Sequence, residues 1–100
     1  MNSVERLIYW LFIASSGGKT RMLIFLFLNE TPANANQISG ALKLDYKTVR
    51  HHLKILEKNN MITKMGSGYN VTYFPSDFAG YNEEIIAKIF NKYAFGVVKK

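Results

Sequence analysis

Hydrophobic and polar positions along the chain predict five helical segments and one β-hairpin, separated by short polar breaks. The first helix lies within residues 3–15, and apolar residues from Leu7 to Ile13 surround its whole circumference. A terminal helix of a small domain buries only one face against its own core, so this pattern predicts a second partner, most simply another copy of the protein. The alternative is a helix that lies deep in a groove of its own chain.

A break of two serines and two glycines ends this helix, and a second helix is predicted from Thr20 to Asn29. The residues Gly17-Gly18-Lys19-Thr20 are similar to the end of a phosphate-binding loop. That motif also needs a glycine where Ile13 stands here, and a preceding strand, which is not predicted. We therefore interpret the segment as a helix–helix turn and exclude nucleotide binding.

A helix-turn-helix unit is predicted over residues 34–59. Asn34, followed three residues later by Gln37, forms a capping box that opens a short helix through about Leu42. After a turn at residues 43–44, Asp45 caps a longer helix that reaches about Asn59. Two helices joined by so tight a turn define the helix-turn-helix unit.

A hairpin, or wing, is predicted over residues 61–75. Its strands are residues 61–65 and 69–74, both rich in β-branched and aromatic side chains, with the loop Gly66-Ser67-Gly68 between them and Pro75 stopping the second strand. The last helix, residues 77–98, can start at Ser76-Asp77 or at Asn82. Its apolar stripe consists of Ile85, Ile86, Ile89, Phe90, Tyr93 and Val97.

These elements define a mainly α-helical fold with a small β-hairpin: a winged helix-turn-helix of five helices and a two-stranded wing, in one domain over residues 1–100. The terminal helices would form a dimer interface. The residues we expect in it are Leu7, Trp10, Leu11, Ile85, Ile89, Phe90 and Tyr93.

Composition supports a folded domain, because 48% of the 100 residues are hydrophobic. The absence of cysteine excludes disulfides, zinc fingers and thiolate catalysis. Thirteen basic against seven acidic residues give a net charge of +6, which favours an anionic partner: nucleic acid first, an anionic membrane surface second. The longest apolar runs are far shorter than the roughly 20 residues of a membrane-spanning helix, and no charged leader precedes the first, so we expect a cytoplasmic protein without membrane contact.

Charge is concentrated on the helix-turn-helix and the wing, where residues 43–64 carry a net +4. In the helix after Asp45, the stripe Val49, Leu53 and Leu56 must face the core. Arg50 is the best candidate for bidentate contact with a guanine, and Lys47 and Lys54 for phosphates. The predicted DNA-binding residues are Tyr46, Lys47, Arg50, His51, Lys54, Lys58 and, on the wing, Lys64. The alternative is an ordinary solvated basic face.

The sequence gives little support for a metal site or for catalysis. His51 and His52 are adjacent and point about 100° apart on a helix, so they cannot converge on one metal ion. We expect His51 to face DNA and His52 to pack near the core with its ring hydrogen-bonded. No nucleophile stands beside a histidine and the acidic residues are dispersed. We therefore expect no enzyme, no metal and no cofactor.

The segments Asn36–Leu42 and Leu44–Glu57, with Gly17–Arg21 upstream and Tyr73–Ser76 downstream, resemble the archaeal branch of the ArsR-like winged-helix regulators. The resemblance covers roughly residues 17–76, and its specific part is 44–56. It implies a dimeric, sequence-specific transcription regulator whose first and last helices pair across the two-fold axis. Metal-sensing members carry a cysteine motif in the helix before the recognition helix; this chain has none, so metal-triggered release does not carry over, and the existence of a small-molecule effector is open.

Two alternatives from other classes stand beside a homodimeric regulator at a pseudo-palindromic operator. One is an architectural protein that coats DNA without regard to sequence, which excess random DNA would displace. The other is a winged helix that serves as a protein-interaction module, because fold alone does not determine function.

Overall fold

The structure is a computed structural model that describes residues 1–68 and 71–95. Within these ranges, six α-helices and a two-stranded hairpin form the predicted winged-helix fold. The elements are α1 (Ser3–Tyr9), α2 (Gly18–Glu30), α3 (Ala35–Leu42), α4 (Tyr46–Lys58), β1 (Ile62–Met65), β2 (Thr72–Pro75), α5 (Asp77–Tyr81) and α6 (Glu83–Phe90). Two π-helical turns, Trp10–Ala14 and Asn91–Phe95, continue α1 and α6. Residues 69, 70 and 96–98 of the predicted second strand and last helix, with Val97 of its stripe, lie outside the described residues.

Helix α1 begins with a capping box, in which the side chains of Asn2 and Glu5 each accept a hydrogen bond from the other residue's backbone N–H. It continues as a π-helical turn, Trp10–Ala14, closed by a hydrogen bond from Ser15 N–H to Trp10 O of 3.0 Å. The chain then bends by 110° into α2. No single helix of the described ranges is long and apolar enough to cross a membrane; only α1 with its π-helical turn and α2, counted together across this bend, would meet the length and composition required.

Close packing explains the second glycine of the turn into α2. A Cβ atom on Gly18 would lie 2.7 Å from the backbone carbon and oxygen of Phe12, closer than any side chain can approach. This position brings the start of α2 against the end of the first helix. The glycine pair thus has a packing role, in agreement with its interpretation as a helix–helix turn.

The helix-turn-helix has the predicted caps. The Asn34–Gln37 capping box is present, with both bonds at 2.8 Å. The turn uses a left-handed Lys43 (φ 57°), and the hydroxyl of Ser39 donates to Leu44 O at 2.6 Å across it. One carboxylate oxygen of Asp45 accepts from the N–H groups of Lys47 and Thr48, which starts α4.

The wing pairs β1 and β2 antiparallel, in a register that runs from Ile62 opposite Pro75 to Met65 opposite Thr72. Pro75 is therefore the last residue of the strand, which it ends because it has no N–H to donate. Backbone bonds in both directions also join Ala33 and Tyr73, so the loop between α2 and α3 extends the sheet on its other side.

The last segment contains two helices where the sequence predicts one, so the described part of the chain has six helices and not five. The hydroxyl of Ser76 accepts from Ala79 N–H and caps α5, and α6 starts after Asn82. Both predicted start sites are thus used, one after the other. The single predicted helix was wrong because Asn82 leaves the helical conformation (φ −107°, ψ 24°).

The core lies where α2, α6 and the π-helical turn after α1 meet. The rings of Phe12, Phe25 and Phe90, one from each segment, pack with centroids 5.1 to 6.5 Å apart. Tyr9 packs edge-on against Tyr93 at 4.8 Å, and Lys88 Nζ lies 3.4 Å from a carboxylate oxygen of Glu5. The first and last helices therefore pack against each other within one chain.

This packing corrects part of the expected dimer interface. Leu11, Ile89 and Phe90 are buried at 0%, 3% and 3% exposure within a single chain, so they are core residues and not a free surface. Leu7, Ile85 and Tyr93 are half-buried, and Trp10 is 50% exposed. Other helices of the same chain therefore cover most of the apolar side chains around the first helix. Trp10 is the large apolar side chain of this helix that they leave exposed.

Candidate nucleic-acid interface

Helix α4 has one buried and one exposed side. Val49, Leu53 and Leu56 are at most 1% exposed, as their spacing predicts. On the opposite side stand five exposed residues that we call the basic face: Lys47, Arg50, His51, Lys54 and Lys58. None of the five has an ion pair with a carboxylate among the described residues. Free lysine and arginine side chains at helical spacing are suited to follow a phosphate backbone.

Arg50 and Tyr46 project from the first turns of α4 into a cleft. The cleft is also lined by Asn36 at the start of α3 and by Tyr73 of the wing. Tyr46 is 43% exposed, whereas Tyr73 is buried and forms part of the cleft floor. The start of the recognition helix, the preceding helix and the wing thus meet around one guanidinium, which has five donors for base edges or phosphates.

Lys64, the basic residue predicted to contact DNA from the wing, is paired with an acidic residue. Its Nζ lies 3.4 Å from a carboxylate oxygen of Glu57 on α4. Both side chains are partly exposed, so the pair is weak and exchangeable. Lys64 is therefore close to α4, but its charge is offset in a way that the lysines of the basic face do not share.

The two histidines lie in different environments, as predicted. His51 is exposed, whereas His52 is 6% exposed and its Nδ1 lies 3.2 Å from Nη1 of Arg21. Burial, followed by the positive charges of Arg21 and His51, lowers the pKa of His52. The described residues contain no cluster of three or more ligands that could hold a metal ion.

Arg21 is the feature that the sequence analysis missed. It is 2% exposed, although arginine is among the residues that are least often buried, and this burial lowers its pKa. The sequence contains a pattern that predicts this burial. One face of α2 is formed by Arg21 and by three core residues at helical spacing from it, Ile24, Phe25 and Leu28. The periodicity therefore places position 21 on the buried side of α2, but it does not show which partners the guanidinium meets there.

A family model matches the middle of the chain. Residues 18–64 match the family model described as "Bacterial regulatory protein, arsR family", so this segment is similar to the helix-turn-helix of that family. The match spans α2 to β1 and includes the basic face, Arg21 and His52. No curated protein sequence matches the chain.

Solved structures share the fold. Reduced HlyU from Vibrio cholerae N16961 is similar with a TM-score of 0.64 and 19% identity, over 91% of this chain and 90% of that one. An ArsR-like transcriptional regulator from Rhodococcus sp. RHA1 is similar with a TM-score of 0.63 and 16% identity, over 89% of this chain and 78% of that one. AbfR of Staphylococcus epidermidis is similar with a TM-score of 0.67 and 19% identity, over 88% of this chain and 60% of that one. At these identities the comparisons establish the winged-helix fold.

Proposed function

We propose that this protein is a sequence-specific, DNA-binding transcription regulator that acts as a homodimer on a pseudo-palindromic site in the cytoplasm. It is not an enzyme and needs no cofactor. Its similarity to the ArsR-family helix-turn-helix supports the DNA-binding part of this proposal, since proteins with similar folds are described as transcriptional regulators. Origin in the archaeal branch of these regulators stays a prediction.

The observation that carries the proposal is the basic face of α4. Its lysine and arginine side chains are exposed, and none of them has an ion pair with a carboxylate among the described residues. The opposite side of the same helix is fixed in the core by Val49, Leu53 and Leu56. A helix held in this way presents its outer side to the major groove, with Arg50 near its start where base edges are reached.

An exposed apolar surface on the first two helices supports the homodimer. Trp10 is 50% exposed and Leu23 of α2 is 47% exposed. Ile13, one turn after Trp10, lines an apolar cleft with Leu23 and Tyr93. An exposed tryptophan beside such a cleft is the kind of anchor that isologous interfaces bury. The proposed interface therefore consists of Leu7, Trp10, Ile85 and Tyr93, which the sequence pattern also indicates, with Leu23 added.

The deciding experiment is the selection of bound sequences from a pool of random DNA duplexes, followed by sequencing. We expect enrichment of an inverted repeat whose half-sites are about one helical turn, or a multiple of it, apart. A variant with Lys47→Ala, Arg50→Ala and Lys54→Ala should enrich nothing. The matched control, Arg6→Ala, Lys88→Ala and Tyr81→Glu, makes the same change in net charge at exposed positions outside the basic face and outside the cleft of the proposed dimer surface, and it should enrich the same repeat.

Each other outcome points to an alternative. Strong retention of DNA without any enriched sequence would identify an architectural DNA binder. No retention at low salt would identify a protein-interaction module, whose basic helix has another role. Equal loss in both triple variants would show that total charge, and not the basic face, is responsible for binding.

A further inference from the structure

Arg21 connects three parts of the chain through one buried guanidinium. Its Nε donates to Leu11 O at 2.9 Å, and its Nη2 donates to Ser16 O at 3.1 Å and to the hydroxyl of Ser15. Its Nη1 lies 3.2 Å from Nδ1 of His52. One side chain of α2 thus binds the end of the first helix, the turn that follows it, and the recognition helix α4.

The charge of Arg21 is balanced by backbone carbonyls and not by a carboxylate. No described Asp or Glu forms an ion pair with it. The acceptors Leu11 O and Ser16 O lie at and just beyond the C-terminal end of the first helix, where carbonyl groups lack helical partners and the helix dipole is negative. These carbonyl groups can balance the one positive charge of Arg21. They leave little negative charge to balance a second positive charge beside it.

The contact with α4 therefore requires a neutral histidine. A guanidinium has only donors, so Nδ1 of His52 must accept, and the ring proton is on Nε2. Protonation of Nδ1 would turn this acceptor into a donor and would place a second positive charge in hydrogen-bonding distance of Arg21. The contact would then be lost.

The surroundings of His52 do not counteract this effect. Arg21 from α2 and His51 from α4 itself are the charged groups that act on it, and both disfavour its protonation. The ring centroids of His51 and His52 lie 5.1 Å apart. Among the described residues of α3 and β1, which also pack on α4, no carboxylate bonds to the imidazole.

We propose that Arg21 and His52 are positioning residues that hold the recognition helix in the geometry that DNA binds, and that protonation of His52 breaks their contact, shifts this helix and weakens DNA binding. The proposal rests on the proposed function, because it concerns the regulation of the same interface. The protein would bind DNA less tightly in mildly acidic conditions, although acid makes its net charge more positive and would otherwise strengthen DNA binding.

The first test is an NMR titration of the free protein from about pH 8 to about pH 5.5, the range in which histidines change charge. At high pH the ¹⁵N shifts of His52 should show the neutral form with the proton on Nε2. As the ring titrates, amide signals of α4 and of residues 15–17 should shift with the same midpoint. In His52→Asn, whose side-chain oxygen can accept at the position of Nδ1 without titrating, these amide signals should stay constant. If they do not follow His52 in the wild type, the proposal is overturned, whether or not the protein binds DNA.

The second test measures affinity for the selected duplex, at constant salt, in His51→Asn and in the double variant His51→Asn, His52→Asn. His51 is the only other histidine of the chain, so the two variants differ in His52 alone and no histidine remains in the double variant. Affinity should fall about fivefold or more on acidification in the single variant and stay constant in the double variant. An equal fall in both would overturn the proposal. If the wild type binds no duplex even at high pH, the proposed function fails, and the NMR titration alone decides whether Arg21 and His52 position α4.

Discussion

Gly17 lies so close to the imidazole of His52 that a Cβ atom at position 17 would be 2.7 Å from Cε1 of the ring. Gly17 has a φ of 81°, in the left-handed region, and it directly precedes α2. The turn between the first two helices is therefore packed directly on the recognition helix. The same ring contacts Arg21 through its Nδ1, so Gly17 and Arg21 both fix the position of the His52 side chain.

Gly17→Ala should destabilise the protein by about 1–3 kcal/mol, because alanine is strained at this φ and its methyl group would displace His52. Chemical denaturation gives the free energy of unfolding directly. Gly40→Ala is the matched control: Gly40 lies within α3, and a methyl group there would meet no atom within 4 Å, so this change should be neutral or stabilise by up to about 1 kcal/mol. If both substitutions change the free energy of unfolding equally, the close approach of Gly17 to His52 does not contribute to stability.

The free energy of unfolding should depend on pH through His52. Its pKa in the folded protein lies below the ordinary value of 6.5, so below about pH 6.5 the unfolded chain binds a proton that the folded protein does not. Stability is therefore fully present above that pH and decreases as the pH falls towards the folded pKa, by at most about 1.4 kcal/mol per pH unit. Denaturation at several pH values should show this slope in the wild type. His52→Asn should remove it, and a slope that persists in this variant would assign it to another group.

Arg50→Ala should weaken binding to the selected sequence much more than binding to random DNA. A bidentate contact with a guanine provides about 1–3 kcal/mol of discrimination, and Arg50 lies in the cleft between the start of α4 and the wing. The measurement is a salt titration on both duplexes. Equal loss on the two DNAs would make Arg50 a phosphate contact and would contradict base readout.

Lys54→Ala is the matched substitution within the same basic face. A lysine further along α4 is expected to contact a phosphate, which carries no sequence information. Affinity for both duplexes should therefore fall to a similar extent. Since a dimer would lose two phosphate contacts, the slope of log affinity against log salt should become smaller by about 2.

Glu57→Gln should strengthen DNA binding by about two- to fivefold at low salt, because it removes a negative charge from α4 and frees Lys64. The melting temperature should change little, since the ion pair is exposed. Glu84→Gln on α6 makes the same change in net charge at an exposed site outside the interface, and it should leave affinity almost unchanged. If the two variants bind equally tightly, the effect belongs to net charge and not to Lys64.

Trp10→Glu should separate the proposed dimer without unfolding the chain. Trp10 is 50% exposed in the single chain, whereas a glutamate at Leu11 would enter the core. Light scattering should give twice the chain mass of 11.4 kDa for the wild type and one chain mass for Trp10→Glu, with an unchanged circular dichroism spectrum. Tyr81→Glu, at a residue that is 87% exposed, should stay dimeric. A wild-type mass of one chain at micromolar concentration would exclude the dimer.

The sequence alone determined the features that depend on local interactions. The Asn34–Gln37 capping box and the Asp45 cap set the starts of α3 and α4, because their hydrogen bonds join residues within three positions of each other. The buried and exposed sides of α4 followed from the 3.6-residue period, since a helix with one apolar stripe can bury only that side. These local rules were enough to predict the basic face.

Only the tertiary structure decided which apolar and polar groups meet across long distances in the chain. The pattern of the first and last helices gives the amount of apolar surface, but not whether it is covered by the same chain or by another. Leu11, Ile89 and Phe90 are covered within the chain, because α1, α2 and α6 converge there. Arg21 is buried for the same kind of reason: the 110° bend after the first helix brings free carbonyl groups and His52, 31 residues away, around its guanidinium. A buried charge becomes tolerable only when such partners are assembled, and no local sequence pattern encodes that assembly.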